Sequence, residues 1–218
     1  MYTNFHTIDM EKWPGAQMYH YFTEIVTTTT YSVTVRLDIT ALWHSMQEKH
    51  LRFFPLYLYL VTHSLSQQPE FCLALRNGVL GYWEVLHPYY PVFHTDSKSI
   101  TFISTRYDPA CKVFYQNCRT DMENARAKGQ AQYAKAAADN YIISCIPWFS
   151  FDSLSMHLQN AQNYYAPIFE SGKPITSGNK IFLPLSITVN HATLAGYHIS
   201  RLLDELQTFL HHPESWLS

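Results

Sequence analysis

The run Ile181-Phe182-Leu183-Pro184-Leu185-Ser186-Ile187-Thr188-Val189 passes without a break into Asn190-His191-Ala192-Thr193-Leu194-Ala195-Gly196-Tyr197-His198. The first nine residues are mostly apolar or β-branched and alternate towards their end, the pattern of a strand. Beyond the second stretch, Ile199, Leu202, Leu203, Leu206, Phe209 and Leu210 return at helical spacing. His191 therefore enters a short loop between a strand end and a helix start, a place where scaffolds tend to carry their chemistry. Taken alone, such a histidine is more often structural than functional.

Working outward, Thr27 to Leu37 is rich in β-branched residues and predicts a strand, and Asp38-Ile39-Thr40 opens a helix over 41–49. A second helix follows Pro55 to about Ser66, and a short helix is expected over 10–22, with Asp9 as N-cap and Pro14 near its first turn. The middle of the chain is β, with strands expected at 71–75, 79–85 (after the turn at Asn77-Gly78), 89–94 and 100–105. Residues 109–138 look helical, including the Ala-rich end 134–138; 141–145 and 148–153 return to strand. Helices and strands mix without a regular β-α-β alternation. That predicts an α+β fold, a two-layer sandwich with a mixed β-sheet, in one domain over 1–218.

The chain has 218 residues, enough for a sizeable core, and a net charge of −2 with its Lys and Arg scattered. Nothing here is an electrostatic footprint for nucleic acid or an anionic membrane. Charged residues are 15% of the chain against the roughly 25% of soluble proteins, while Tyr numbers 16 and Phe 13. That much apolar surface belongs either in an aromatic-rich core or against other copies of the chain, and the balance favours an oligomer. Cys72, Cys111, Cys118 and Cys145 form no CxxC pair and no zinc-type spacing, which points to reduced thiols in a cytoplasmic protein. No secretory leader opens the sequence, and the apolar stretch 53–61 is broken by Pro55 and too short for a membrane span.

Dinucleotide, Walker-A, HExxH and GxSxG patterns are all missing. His211-His212 reads as a solvated helix end, and no metal is expected.

The segment around His191 resembles the signature of the chloramphenicol acetyltransferase family, His-His-x-x-x-Asp-Gly, with Asn190 at the first histidine, His191 at the second and Gly196 at the glycine. Further landmarks resemble the family in the same order: Trp13, Phe54-Pro55, Pro69-Glu70-Phe71, Val92-Phe93-His94, Pro147-Trp148, Phe151-Asp152-Ser153, Ala166-Pro167 with Phe169, Gly172-Lys173 and Leu183-Pro184-Leu185. The resemblance spans about 10–209 and implies the coenzyme A-dependent acyltransferase fold. It also implies transfer of acetyl from acetyl-CoA to a hydroxyl of chloramphenicol or a related small molecule, the chemistry of resistance to that antibiotic. His191 would be the general base, and Ser144 the hydroxyl that steadies the tetrahedral intermediate. Phe22, Phe102, Tyr133 and Phe151 are candidate walls for the acceptor, each more readily plain core if taken alone, and Lys173 falls where the family holds the coenzyme. The family works as a homotrimer with its active sites between subunits, in agreement with the low charge and aromatic excess.

Four positions depart from the family. The signature aspartate is Ala195, and the arginine that pairs with it is Gly15; a threonine near the substrate is Glu170, and a tyrosine near the coenzyme is Pro174. Losing one member of a buried pair strands a charge at about 3–5 kcal/mol, whereas losing both can be close to neutral. The joint loss therefore reads as a rebuilt support behind the His191 loop. Glu170 has two readings: a substrate-facing carboxylate that suits a more polar or amine-bearing acceptor, or a solvent-facing side chain. The alternative function is a catalytically impaired trimer that binds small molecules or regulates; a lipoamide acyltransferase core ranks last, because the aspartate is missing.

Overall fold

Strand β10 (Lys180–Asn190) organises the computed structural model, which describes residues 4–129, 133, 135–158 and 161–217. On one side it pairs antiparallel with β2 (Thr30–Asp38), from Phe182–Asp38 to Asn190–Thr30; on the other it pairs antiparallel with β8 (Ile168–Ser171). The sheet continues through β7 (Asn140–Cys145), β5 (His87–His94) and β6 (Ser99–Ser104) in the order β2-β10-β8-β7-β5-β6. The β8–β7 and β7–β5 pairs are parallel and β5–β6 is antiparallel, so the sheet is mixed as expected. A short β9 (Ile175–Ser177) joins the start of β10. A separate antiparallel sheet is built from β1 (Phe5–Thr7), β3 (Leu73–Arg76) and β4 (Val79–Trp83) in the order β1-β4-β3.

Alternation fixes what each face of the main sheet carries. Leu37, Leu183, Leu185, Ile187, Val189, Phe169, Ile143, Tyr141, Tyr90 and Val92 are buried in one apolar cluster with the helices. Those helices are α2 (Thr40–Glu48), α3 (Phe53–Ser66), α4 (Cys111–Ala127) and α5 (Gly196–His211). Helix α3 is apolar almost all round and buried from Pro55 to Leu65 except at His63, which suits a helix packed between the sheet and its neighbours. The result is the two-layer α+β sandwich that the sequence predicts.

The corner where β2 becomes α2 is held by Asp38. Its carboxylate accepts the amide (3.1 Å) and hydroxyl (2.6 Å) of Thr40 and meets Lys180 Nζ at 2.9 Å. Burial opposes ionisation there, but Thr40 and Lys180 outweigh it and hold the carboxyl at about 2.

Several boundaries differ from the expectation. The helix expected over 10–22 is α1 (Ala16–His20) followed by a π-helical turn, Tyr21–Ile25. Asp9 does cap a turn, accepting from the Glu11 amide, but Trp13 precedes a proline, which disfavours helical backbone there, and the helix begins only at Ala16. Residues 27–29 stand outside β2. Pro69–Cys72 forms a 3-10 turn where a strand was expected, proline fitting its first position. Helix α4 stops at Ala127 because Gly129 takes φ +65° and ends it in the left-handed conformation; residues 135–137 are not helical, and 134 lies outside the described residues. Residues 148–153 form no strand. Phe149 accepts the Lys173 amide and the segment crosses the sheet's other face, where the Leu154 carbonyl accepts Ser186 Oγ at 2.6 Å. All four cysteines are free thiols, and among the described residues no helix is long and apolar enough to cross a membrane.

Candidate active site

The loop after β10 is closed by hydrogen bonds from Asn190. Its side-chain Oδ1 accepts the Ala192 amide at 3.0 Å, an Asx-turn, and its carbonyl accepts the amides of Thr193 and Leu194. Its Nδ2 reaches the Tyr164 carbonyl at 3.3 Å. The turn throws His191 to the side, where its own amide still bonds the Thr29 carbonyl at 2.8 Å.

Phe22 stacks on the imidazole of His191, with centroids 4.5 Å apart and planes inclined by 26°, and Tyr31 meets it edge-on at 4.9 Å. Nδ1 of His191 lies 3.2 Å from the carbonyl oxygen of Leu194. A carbonyl only accepts, so Nδ1 carries a proton, and in the neutral ring Nε2 then keeps the lone pair. The Tyr31 hydroxyl donates to the same carbonyl at 3.4 Å, and burial raises its pKa. Clamped on two sides, this imidazole in its neutral form presents one bare nitrogen that can accept a proton from a substrate hydroxyl.

Ser144 lies elsewhere. It is opposite Glu170 in the β7–β8 register, and Glu170 is opposite Ser186 in β8–β10, so all three share the sheet face away from the helices. Ser32, Thr34 and Thr188 share that face, with Ser32 and Thr188 hydroxyls 2.6 Å apart. Glu170 is 8% exposed; it does not point to solvent, and no salt bridge to it occurs among the described residues. Burial raises its pKa, with the Ser144 hydroxyl pulling the other way.

His191 stands five residues beyond Ser186 on β10, while Ser144 is two strands across. That is ~17 Å along and ~10 Å over, roughly 19 Å in all. Within one chain they do not meet.

The remaining predicted residues divide between these regions. Phe22 joins His191. Phe151 packs on Gly172, two residues past Glu170, and Lys173 is exposed beside it. Phe102 stacks on Tyr89 at 5.2 Å and lies 6.3 Å from Tyr133, whose side chain is 69% exposed. Sequence reasoning missed Tyr31, Tyr164, Tyr165 and His198. Only Asn190 after a strand carried a local signal, that of an Asx-turn.

A cavity of about 820 Å³ opens at the C-terminal ends of β5 and β7, bounded by Phe54, Phe93, Ser144, Pro147 and Trp148. It shares Phe54, Met122 and Arg126 with a smaller cleft that adds Arg52 and Arg119. Trp148 is 61% exposed and edge-on to Phe93 at 5.1 Å. The channel is apolar with an open indole, and beside it lie Arg52, Arg126 and Arg119, the last paired with Glu123 at 3.1 Å.

The sequence profile of the chloramphenicol acetyltransferase family matches residues 3–207. The chain belongs to the chloramphenicol acetyltransferase family. Within it, a chloramphenicol acetyltransferase of Clostridium perfringens is 34% identical over 215 residues, covering 98% of both chains. One from Escherichia coli is 31% identical over 208 residues, covering 95% of this chain and 94% of its own. A solved chloramphenicol acetyltransferase superposes with a TM-score of 0.84 at 18% identity, over 95% of this chain and all of that one. The dihydrolipoamide acetyltransferase of Azotobacter vinelandii superposes at 0.66 with 20% identity, over 94% of this chain and 89% of its own, a likeness of fold alone. The family is one of acyltransferases, in keeping with the resemblance carried by His191 and the landmarks around it.

Proposed function

We propose that this chain, working as one domain over 1–218, transfers acetyl from acetyl-CoA to a hydroxyl of chloramphenicol or a related small molecule. The observation that carries the reading is the clamped His191 ring with Nδ1 against the Leu194 carbonyl, an arrangement that turns Nε2 of the neutral ring to the reaction. Nε2 takes the acceptor's hydroxyl proton as that oxygen attacks the thioester carbonyl carbon. The Ser144 hydroxyl donates to the oxyanion that develops. When the tetrahedral species collapses, the C–S bond breaks, and the imidazolium returns the proton to the departing thiolate. The products are an acetyl ester and free coenzyme A.

The roughly 19 Å between His191 and Ser144 supports a homotrimer in which one subunit gives the base and its neighbour gives Ser144. Trp148 and Lys173 would border the coenzyme, with Arg52, Arg119 and Arg126 placed for its phosphates. Phe22, Phe102, Tyr133, Phe151 and Glu170 would shape the acceptor pocket. The cytoplasm keeps the four thiols reduced and supplies the acyl donor.

The test is steady-state turnover with acetyl-CoA across a panel of hydroxyl acceptors including chloramphenicol, comparing wild type with His191→Ala. A His191-dependent rate supports the reading; no such rate on any alcohol overturns it. The second reading, a catalytically impaired trimer that binds small molecules, draws on Gly15, Ala195, Glu170 and Pro174. It predicts binding by calorimetry without turnover.

A further inference from the structure

The peptide group between Leu194 and Ala195 is held at both of its polar ends. Its carbonyl oxygen accepts Nδ1–H of His191 at 3.2 Å, and its amide N–H donates to Nδ1 of His198 at 3.0 Å. An amide only donates, so Nδ1 of His198 carries a lone pair and that ring is neutral, with its proton on Nε2. A peptide group is planar and stiff, so whatever fixes the direction of its N–H also fixes the direction of its C=O.

His198 sits in the first turn of α5, whose core-facing residues Ile199, Leu202 and Leu206 are buried, so its backbone is anchored. The N-cap residue Ala195 has no side-chain polar atom with which to cap the helix, and Gly196 and Tyr197 are exposed. The His198 ring is thus the side chain by which α5 grips the Leu194–Ala195 peptide. It is flanked in turn by Tyr197, edge-on at 5.8 Å.

We propose that His198 is a positioning residue for acyl transfer, acting on His191 through the Leu194–Ala195 peptide. By anchoring the amide it aims the Leu194 carbonyl at His191 Nδ1 and holds His191 in the tautomer that leaves Nε2 bare. Accepting the amide proton also polarises the peptide and strengthens the carbonyl as an acceptor. In this chain His198 takes over the support of the His191 loop where Ala195 offers none. The inference rests on the reading of His191 as the base, and its test separates the two.

The experiment compares wild type, His198→Leu, which removes the acceptor, and His198→Asn, whose Oδ1 can take the place of Nδ1. Kinetics with acetyl-CoA and chloramphenicol, or the best acceptor of the panel, should show His198→Leu losing about tenfold in kcat with both KM values unchanged, the scale of one lost supporting hydrogen bond. His198→Asn should return to within about twofold of wild type. In parallel, ¹⁵N-histidine spectra should show His191 with its proton on Nδ1 in wild type and His198→Asn, and a mixture of tautomers in His198→Leu. Equal kcat and an unchanged His191 tautomer in His198→Leu would overturn the proposal, as would a His198→Asn variant no better than His198→Leu. If His191→Ala keeps its turnover, the base assignment fails, while the spectra still report whether His198 holds the His191 ring.

Discussion

Ser144 on β7 and His191, just past the end of β10, stand too far apart to serve one reacting carbon from the same chain. The register runs Ser144–Glu170–Ser186 across three strands, and His191 lies five residues past Ser186. If the site forms between copies, His191→Ala and Ser144→Ala subunits should each be severely impaired alone and complement each other when mixed. A trimer holding both variants, in either ratio, has both side chains at one of its three sites, so about a third of wild-type activity should return in the doubly purified oligomer. Co-expression with two affinity tags, followed by assay of the doubly purified oligomer, measures this. Activity no higher than that of the single variants would place both residues in separate functions.

Glu170 should weaken the fold at neutral pH. Its buried carboxyl has a pKa raised by desolvation and opposed only in part by Ser144. Below the unfolded glutamate value of about 4.3, both states are protonated and no penalty exists; the penalty grows as pH rises and is complete above the folded value. Glu170→Gln should therefore be more stable than wild type at pH 7, on the order of 1 kcal/mol, and indistinguishable from it near pH 4. Urea melts at the two pH values test this. The same variant should alter the ranking of acceptors, because the changed group neighbours Ser144.

The parts of the fold legible in the sequence were those whose pattern is local. The alternation of 181–189 and the apolar stripe of 199–210 gave β10 and α5 almost to the residue. Strand β8 was not legible: four residues buried on both faces, with Glu170 among them, show no alternation. Helix α4 ends short of the expected 138 because Gly129 takes a positive φ, which the helix propensity of the Ala-rich residues beyond it does not reveal. In the candidate site, His191 and Ser144 stood out through family resemblance. Their separation follows from strand order, which no local pattern encodes. Tyr31 and His198 act through backbone groups of Leu194 and Ala195, and such contacts leave no trace in residue type.

Asp38 should make the β2–α2 corner acid-sensitive. Its carboxyl is held at about 2 in the folded chain, against an unfolded value of about 3.9. The stability it contributes is complete above the unfolded value and is lost as pH falls through the folded one. Asp38→Asn should cost about 1–2 kcal/mol at pH 7, with the deficit closing between pH 4 and about pH 2. Because Lys180 is the partly exposed partner, Lys180→Ala should cost less, within about 1 kcal/mol. Equal losses at all pH values for Asp38→Asn would assign its role to shape and not to charge.

Gly15 stands where the resemblance expects the arginine that pairs with position 195. Its backbone is ordinary, at φ −79° and ψ −7°, so glycine is there for space: a Cβ would lie 2.4 to 2.8 Å from atoms of the Trp13 ring. Trp13 belongs with Tyr19 and Tyr165 to the apolar cluster that holds Ala192, the residue next to His191, and the Tyr19 and Tyr165 hydroxyls are 3.2 Å apart. The space beside Gly15 is thus filled by an indole that packs on the cluster next to the loop. Gly15→Ala should destabilise by about 1–3 kcal/mol through overpacking and lower kcat, since the strain reaches the His191 loop. Trp13→Ala makes room for the new methyl group, so the double variant should lose less than the sum of the two singles, with a coupling of about 0.5–3 kcal/mol. Gly15→Arg combined with Ala195→Asp should not restore function, because the arginine stem would have to displace the same ring. Denaturant melts of the four variants of the cycle, with kcat measured on each, decide the matter: additive losses would mean that Trp13 and Gly15 do not share the space.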